Sequence, residues 1–158
     1  MLNKSKQLTI ILLIALLAQA CTKQTPEMQP GQALIQNIKT SLTVAGVAIA
    51  TTRAALPAFK LDAEDMVTAN AILDDILTAR DSFKTRLEPY TAFDASNRDS
   101  IIQAAKDAIA TLKDLHDKKL DRVKNPKARE QVSAALDALQ TVLNLVFEQQ
   151  PQPVKIDV

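Results

Sequence analysis

The sequence has few of the residues on which most catalytic and metal sites depend. Of its 158 residues, one is cysteine, one is histidine, two are glycine, none is tryptophan, and aromatic residues make up 3%. With one histidine and one cysteine, the chain lacks the ligands for a zinc cluster or a di-iron bundle, and nothing around His116 resembles the nucleophile–base pair of a catalytic triad. We therefore expect a protein without enzymatic activity and without a resident metal or cofactor.

The same composition argues against β-structure and for helices. A β-sandwich needs many turn residues and alternating strands, and this chain has neither. Alanine and long aliphatic residues dominate, and they lose little conformational freedom in a helix. The formal charge of +1 gives the molecule no strong field for attracting nucleic acid, so no nucleic-acid partner is expected.

Residues 1–20 have the pattern of a secretory signal peptide. Lys4 and Lys6 form a basic start, and an apolar run of about 11 residues follows from Leu8 to Ala18. This run is shorter than the roughly 20 residues that span a bilayer. A basic start, a short apolar segment and small residues at its end are typical of a cleaved export signal.

The end of this segment indicates how the chain is processed. Leu17-Ala18-Gln19-Ala20-Cys21 resembles the bacterial lipobox, although its commonest form has leucine where this chain has Ala18. The resemblance implies that Cys21 receives a diacylglycerol on its sulfur, becomes the mature N-terminus and is then acylated with a fatty acid such as palmitate. The alternative is ordinary cleavage after Ala20, which leaves a free thiol. Cys21 is the only cysteine, and an unpaired cysteine in an exported protein needs the kind of explanation that lipidation supplies.

The predicted anchor makes a membrane the first expected partner. Each buried methylene contributes about 0.8 kcal/mol, so two or three acyl chains hold a protein firmly on a bilayer. Thr22 follows the cysteine. At this position, aspartate resembles the inner-membrane retention signal of enteric lipoproteins. We therefore expect a cell-envelope protein, on the outer membrane and facing the periplasm if the organism is Gram-negative.

The mature chain divides into a tether, a helical domain and a tail. Residues 21–32 are polar, contain Pro26, Pro30 and Gly31, and predict a flexible linker. Residues 33–149 carry four apolar patterns of helical period, and residues 150–158 predict a loose tail. Short connections favour antiparallel neighbours, so we expect an all-α, up-down-up-down four-helix bundle.

The boundaries of the four helices follow from capping signals. The first is expected from Ala33 to Leu56, the second after the N-cap Asp62 and before Pro89, the third from Asp94 or Ser96, and the fourth from Asn125-Pro126. The core-facing stripe of the first is Leu34, Ile38, Leu42, Ala45, Ile49, Thr52 and Leu56, and that of the fourth is Val132, Leu136, Leu139, Leu143 and Val146. Val44 and Val47 lie on another face of the first helix, which predicts burial on more than one side.

One group of side chains is a candidate interaction patch. Six basic residues surround the predicted turn between the third and fourth helices: Lys118, Lys119, Arg122, Lys124, Lys127 and Arg129. They can contact an anionic surface or an acidic partner. The alternative is a structural role, because cations near a helix C-terminus complement the helix dipole.

Two further groups give weaker indications. Met66 and His116 are expected at similar heights on neighbouring helices, a pairing that resembles the His/Met ligation of four-helix haem-b cytochromes. In that family, however, the ligands come from the first and last helices. Asp74, Asp75 and Asp81 are expected to be spread over a solvated face.

These observations favour a non-enzymatic envelope lipoprotein that binds or scaffolds another envelope component, most simply a protein. The alternative is a bundle that holds an apolar ligand, such as a lipid or haem, in the periplasm. Tyr90 and Phe93, in the second predicted loop, either line such a site or close one end of the core.

Overall fold

The computed structural model describes residues 29–148, and these form an all-α four-helix bundle. The helices are α1 (Pro30–Ala55), α2 (Ala63–Leu87), α3 (Arg98–Lys118) and α4 (Pro126–Glu148). Short 3-10 turns occupy Leu56–Phe59 and Leu120–Arg122. The predicted all-α class and four-helix bundle are confirmed, and the described residues contain no strand.

Cross-helix ion pairs show that α2 and α3 are antiparallel. Arg86 near the end of α2 pairs with Asp107 in the middle of α3, at 2.7 Å. Lys119, just after α3, pairs with Asp75 in the middle of α2, at 2.8 Å. Residue numbers therefore rise on one helix as they fall on the other. The short connection from Lys118 to Pro126 favours the same relation between α3 and α4.

The contacts between α1 and α2 follow the same rule. Arg53 near the end of α1 pairs with Asp74. Lys39, in the first half of α1, donates from Nζ to the carbonyl oxygens of Glu88 at 3.3 Å and Tyr90 at 2.9 Å. An ammonium group here satisfies carbonyls that the end of α2 leaves without helical partners.

The core lies on the predicted stripes. Every residue of the two stripes predicted for α1 and α4 is buried, which confirms both. Val47 differs from the prediction, because 62% of its surface is exposed. The neighbours of α1 cover the face that carries the leucines and isoleucines, so the opposite face of the helix is left uncovered.

The capping predictions hold for α2 and α4. The Asp62 carboxylate accepts a hydrogen bond from the Asp65 amide at 2.7 Å. The side chain of Asn125 accepts from the amides of Lys127 at 3.0 Å and Ala128 at 3.1 Å. Both side chains satisfy amides that the first turn of a helix leaves free.

Two helix starts differ from the predicted ones. Helix α1 begins at Pro30, three residues before Ala33, so Pro30–Gln32 belong to the helix and not to the linker. Helix α3 begins at Arg98, because Asp94 instead closes a turn by accepting from the Ser96 amide at 2.8 Å. At the other end of α3, Leu120 and Val123 remain buried although they follow the helix.

The bundle has two ends that differ in what they carry. The proximal end holds the start of α1 and the α2–α3 loop, joined by a hydrogen bond of 3.0 Å from the Phe93 amide to the Gly31 carbonyl. The distal end holds the α1–α2 and α3–α4 connections. A helix of 23 residues such as α4 is on the order of 35 Å long, which sets the separation of the two ends.

Candidate functional site

The predicted lipidation site lies outside the described residues. So do the signal peptide, residues 21–28 of the linker, and the tail predicted at 150–158. Lipidation of Cys21 therefore stays a prediction from the sequence.

The structure places the six residues of the basic patch at the distal end and gives four of them acidic partners. Lys118 pairs with Asp114 on its own helix. Lys119 pairs with Asp75, as described above. Two further members, Lys124 and Arg129, also have carboxylate partners. The patch is therefore much less cationic than its sequence indicates.

The partner of Lys124 comes from the start of α2. Its Nζ lies 2.6 Å from Glu64 Oε2, and this hydrogen bond, followed by the attraction of the carboxylate, raises the pKa of Lys124 above its usual 10.5. A hydrogen bond from Asp114 and its charge raise the pKa of Lys118 in the same direction. Both ammonium groups stay charged beside carboxylates near neutral pH, which reduces the net positive charge that the patch presents.

Arg129 is also engaged, because its Nε donates to the Val123 carbonyl at 2.9 Å and its Nη1 lies 3.6 Å from Asp121. Arg122 and Lys127 are the members of the patch that form no ion pair within residues 29–148. Both are exposed. They are therefore the members best placed to meet a partner.

Asp65 is a buried carboxylate beside this patch, with a role that the sequence does not indicate. It is 3% exposed and accepts from the amides of Lys124 at 2.7 Å and Asn125 at 2.8 Å. The sequence predicts only that Asp65 favours the positive end of the α2 dipole. In the structure it also fastens the α3–α4 connection to the start of α2, and no local pattern predicts this contact across 59 residues.

Met66 and His116 do not form an interior ligand pair. The His116 side chain is 57% exposed, and its Nδ1 lies 3.2 Å from Asp117 Oδ1. Met66 is half-buried against the core. Since His116 lies on the outside of α3, the two residues are not arranged to hold a haem between helices.

The acidic residues of α2 lie beside cations on the surface. Asp74 pairs with Arg53 and Asp75 with Lys119, while Asp81 lies 3.2 Å from Arg80 on its own helix. These carboxylates do not converge on a common pocket, as acid–base catalysis would require. The expectation of a solvated face is confirmed.

The loop aromatics help to close the proximal end. Tyr90 and Phe93 are partly buried and pack against the core. Phe93 also borders a small hollow of about 320 Å³ with Pro30, Leu34 and Arg98. The sequence predicts two roles for this pair, lining a ligand site or closing one end of the core. Their packing against the core corresponds to the second role.

An open groove of about 610 Å³ lies between α2 and α3. Small residues such as Ala79, Ala104 and Ala108 leave the space, with Phe83 and Leu115 also in its lining. The two cross-helix ion pairs of α2 and α3 also border the groove. Its size suits a small ligand, but it is an open surface depression.

Within residues 29–148, no three histidine, cysteine, aspartate or glutamate side chains lie close enough together to hold a metal ion. No protein-family model, curated protein or solved structure matches this chain.

Proposed function

We propose that this protein is a lipid-anchored, non-enzymatic protein of the bacterial envelope that uses its bundle to bind or scaffold another envelope protein. The observation that carries the proposal is the position of the only cysteine, directly after an export signal that ends in a lipobox-like sequence. Acyl chains on Cys21 would hold the protein on a membrane. If the organism is Gram-negative, the absence of aspartate after this cysteine favours the outer membrane, with the bundle facing the periplasm.

The position of α1 supports a defined orientation on that membrane. The helix begins at Pro30, close in sequence to Cys21, so the anchor would keep the proximal end near the lipid. The distal end, on the order of 35 Å away, would then face the periplasm. The basic patch lies at this distal end and would meet a partner rather than the anchoring bilayer.

The anchor is tested by replacing Cys21 with serine. Ala18-Gln19-Ala20 fits ordinary signal peptidase, so we expect the C21S variant to be cleaved after Ala20 and to appear in the soluble periplasmic fraction. The wild-type protein should sediment with membranes, and its intact mass should exceed that of the mature polypeptide by the acyl groups. As a matched control, T25S should behave as wild type.

Two results would contradict the anchor. One is a wild-type mature chain whose mass corresponds to an unmodified cysteine. The other is a C21S variant that stays on membranes to the same extent as T25S.

The partner surface is tested by reversing the two unpaired charges of the patch in the double variant R122E/K127E. We expect chemical crosslinking in the native host to recover the main partner of the wild-type protein several-fold less well from this variant. Both side chains are exposed and form no ion pair within residues 29–148, so the free energy of unfolding should change by less than about 0.5 kcal/mol. The control K106E reverses an exposed charge on α3 away from the patch. Equal recovery from the double variant and K106E would show that the partner binds elsewhere.

The alternative proposal is a binder of an apolar ligand, and the groove between α2 and α3 is the observation in its favour. Its volume falls within the usual range of ligand sites, whereas its openness and charged borders count against an apolar occupant. Native mass spectrometry of the protein purified from its own host tests this idea. A mass increment beyond the acyl groups would support a ligand, and the mass of the acylated chain alone would contradict one.

A further inference from the structure

A hollow of about 320 Å³ opens at the proximal end of the bundle, between the first turn of α1 and the start of α3. Pro30, Leu34 and Phe93 give it an apolar wall, and Asp94 and Arg98 are the charged residues of its lining. We call this space the proximal hollow. It places one guanidinium group beside a small apolar surface, at the end of the bundle where the linker joins α1.

Arg98 differs from the other arginines of the bundle. Within residues 29–148, four of the six arginines pair with a carboxylate, and the two that do not are Arg98 and Arg122. Arg122 is exposed to water, whereas Arg98 is half-buried and its Nε is shielded without a hydrogen-bond partner in this part of the chain. The Nε atoms of Arg53 and Arg80 are shielded too, but both guanidinium groups contact a carboxylate. A shielded N–H without an acceptor costs free energy, so an anion that accepts from Arg98 would remove this cost.

The carboxylate in the lining of the hollow is bound to a different group. Asp94 accepts from the amide of Ser96 at 2.8 Å and from its hydroxyl at 2.5 Å. These hydrogen bonds, the one from the hydroxyl first, hold the pKa of Asp94 below its usual value, so the carboxylate is ionised near neutral pH. Within residues 29–148 it forms no ion pair with Arg98. Its negative charge opposes a doubly charged anion in the hollow more strongly than a singly charged one.

The proximal hollow therefore fits a singly charged anion that carries an apolar group. A guanidinium group presents parallel N–H donors that match two oxygens of a phosphate. Because α1 and α3 both begin beside the hollow, the positive ends of their dipoles add to the attraction. Leu34 and Phe93 offer contact to hydrocarbon. A phosphodiester has one negative charge, and in a phospholipid it is joined to acyl chains through glycerol.

We propose that the proximal hollow binds the phosphodiester of a phospholipid headgroup. Arg98 donates to the phosphate oxygens, and Leu34 and Phe93 contact the glycerol and the first methylenes of the acyl chains. The contact holds the proximal end on the bilayer and so keeps the basic patch directed away from it.

This inference rests on the proposed anchor at Cys21, which would bring the proximal end to a bilayer. The segment from Cys21 to Pro30 spans at most about 30 Å when fully extended, so the hollow cannot move far from the headgroups. Tethering of this kind gives the headgroups a high effective concentration at the hollow. A site built on one arginine therefore needs only a weak intrinsic affinity to be occupied.

The test uses the full mature chain carrying C21S, which has no acyl groups and so separates the hollow from the anchor. The probe is dihexanoyl phosphatidylglycerol below its critical micelle concentration, followed by NMR. We expect saturable shifts of the Arg98 Nε–H signal and of the Phe93 amide. R98Q should weaken the affinity about ten-fold, as expected for the loss of one charge-assisted hydrogen bond.

Two variants serve as controls. R122Q makes the same substitution at an exposed arginine of the distal end, and it should leave the affinity unchanged. R98K keeps the charge and most of the side chain but loses the fork of donors, so its affinity should fall between those of the parent chain and R98Q. Equal affinity in R98Q and R122Q would overturn the role of Arg98.

Glycerol phosphate distinguishes a lipid from a free phosphate, because it carries the phosphate without acyl chains. We expect it to bind several-fold more weakly than the phospholipid, and equal affinity would overturn the phospholipid as the occupant. Flotation and the mass of the wild-type chain report on Cys21 alone. If the wild-type chain floats but the C21S chain shows no saturable shifts, the hollow is overturned and the anchor stands. Lipid binding by the C21S chain beside an unmodified wild-type cysteine would overturn the anchor and leave the hollow as a lipid site.

Discussion

Replacing Asp65 with alanine is expected to lower the free energy of unfolding by about 3 kcal/mol, the largest effect of any single polar substitution considered for this bundle. The carboxylate is 3% exposed and accepts from the backbone amides of Lys124 and Asn125. Hydrogen bonds to a charged group contribute roughly 1.5–3 kcal/mol each, and a buried donor left without an acceptor costs about 1–3 kcal/mol. The two contributions overlap, so the expected total is well below their sum.

Asp65→Asn should be less harmful. The amide keeps one oxygen that can accept from one of the two backbone amides, while its NH₂ group opposes the other. We expect a loss of roughly half that of the alanine variant. This graded response follows from hydrogen-bond acceptance and would not follow from packing, because aspartate and asparagine have nearly the same shape.

The matched control is Asp74→Ala, the same substitution on the same helix. The Asp74 side chain is 64% exposed and pairs with Arg53 at the surface, where an ion pair contributes about 0–1 kcal/mol. Urea titration gives the comparison through the transition midpoint, with an unchanged slope showing that only stability has changed. If Asp65→Ala and Asp74→Ala destabilise the protein equally, the contact to the α3–α4 connection does not stabilise the fold.

The sequence predicts the core well because each stripe is a local property. A helix buries residues at spacings of three and four wherever it packs, so the α1 and α4 stripes can be assigned before any partner helix is known. The caps Asp62 and Asn125 are equally local, since each accepts from amides within three residues. Local rules of this kind are sufficient for the fold class.

The helix starts show where several local signals compete. Pro30 and Gly31 predict a linker, but proline is also well suited to the first position of a helix, and that is its position in α1. At α3, the sequence predicts Asp94 or Ser96 as the cap, whereas the residue before the helix is Asn97. Asn97 is buried and binds the turn before the helix, because its Nδ2 donates to the Ala92 carbonyl at 2.8 Å. The helix therefore starts after Asn97.

The candidate site is less predictable because its contacts join distant parts of the chain. The six residues of the basic patch lie close together in the sequence. In the structure, however, Lys119 and Lys124 are neutralised by Asp75 and Glu64, which come from α2. Such pairs depend on the antiparallel register of the helices. The sequence predicts the antiparallel arrangement. It does not give the register of the helices to within one residue, and this register decides which charges meet.

The two glycines provide the second prediction, because a methyl group added at each would meet a different kind of neighbour. At Gly31 a Cβ atom would overlap the Phe93 carbonyl oxygen and lie 3.1 Å from the Phe93 nitrogen. At Gly46 it would lie 2.8 Å from the guanidinium group of Arg80. The first obstacle is backbone, whereas the second is the end of a flexible side chain.

We therefore expect Gly31→Ala to destabilise the protein by about 2 kcal/mol and Gly46→Ala to change stability by less than about 1 kcal/mol. Alanine gains up to about 1 kcal/mol over glycine in a helix interior, where Gly46 lies, and less at Gly31 in the first turn of α1. At Gly31 this gain is outweighed by overpacking, which typically costs 1–3 kcal/mol, and by loss of the hydrogen bond from the Phe93 amide. At Gly46 the Arg80 side chain, which is 17% exposed, can move toward solvent, and the loss of its contact with Asp81 and of part of its packing is offset by the gain from alanine.

Urea unfolding measures both stabilities, and hydrogen exchange locates the change. In the Gly31→Ala variant the Phe93 amide should lose more protection than amides in the middle of α4, whose protection falls only as far as the global stability does, because the proximal end opens before the bundle unfolds. Equal stability of the two alanine variants, or an unchanged Phe93 amide, would contradict the close contact between the α2–α3 loop and the start of α1. That contact matters for the proposed function, because it fixes the first turn of α1 against the proximal end at the point where the chain arrives from Cys21.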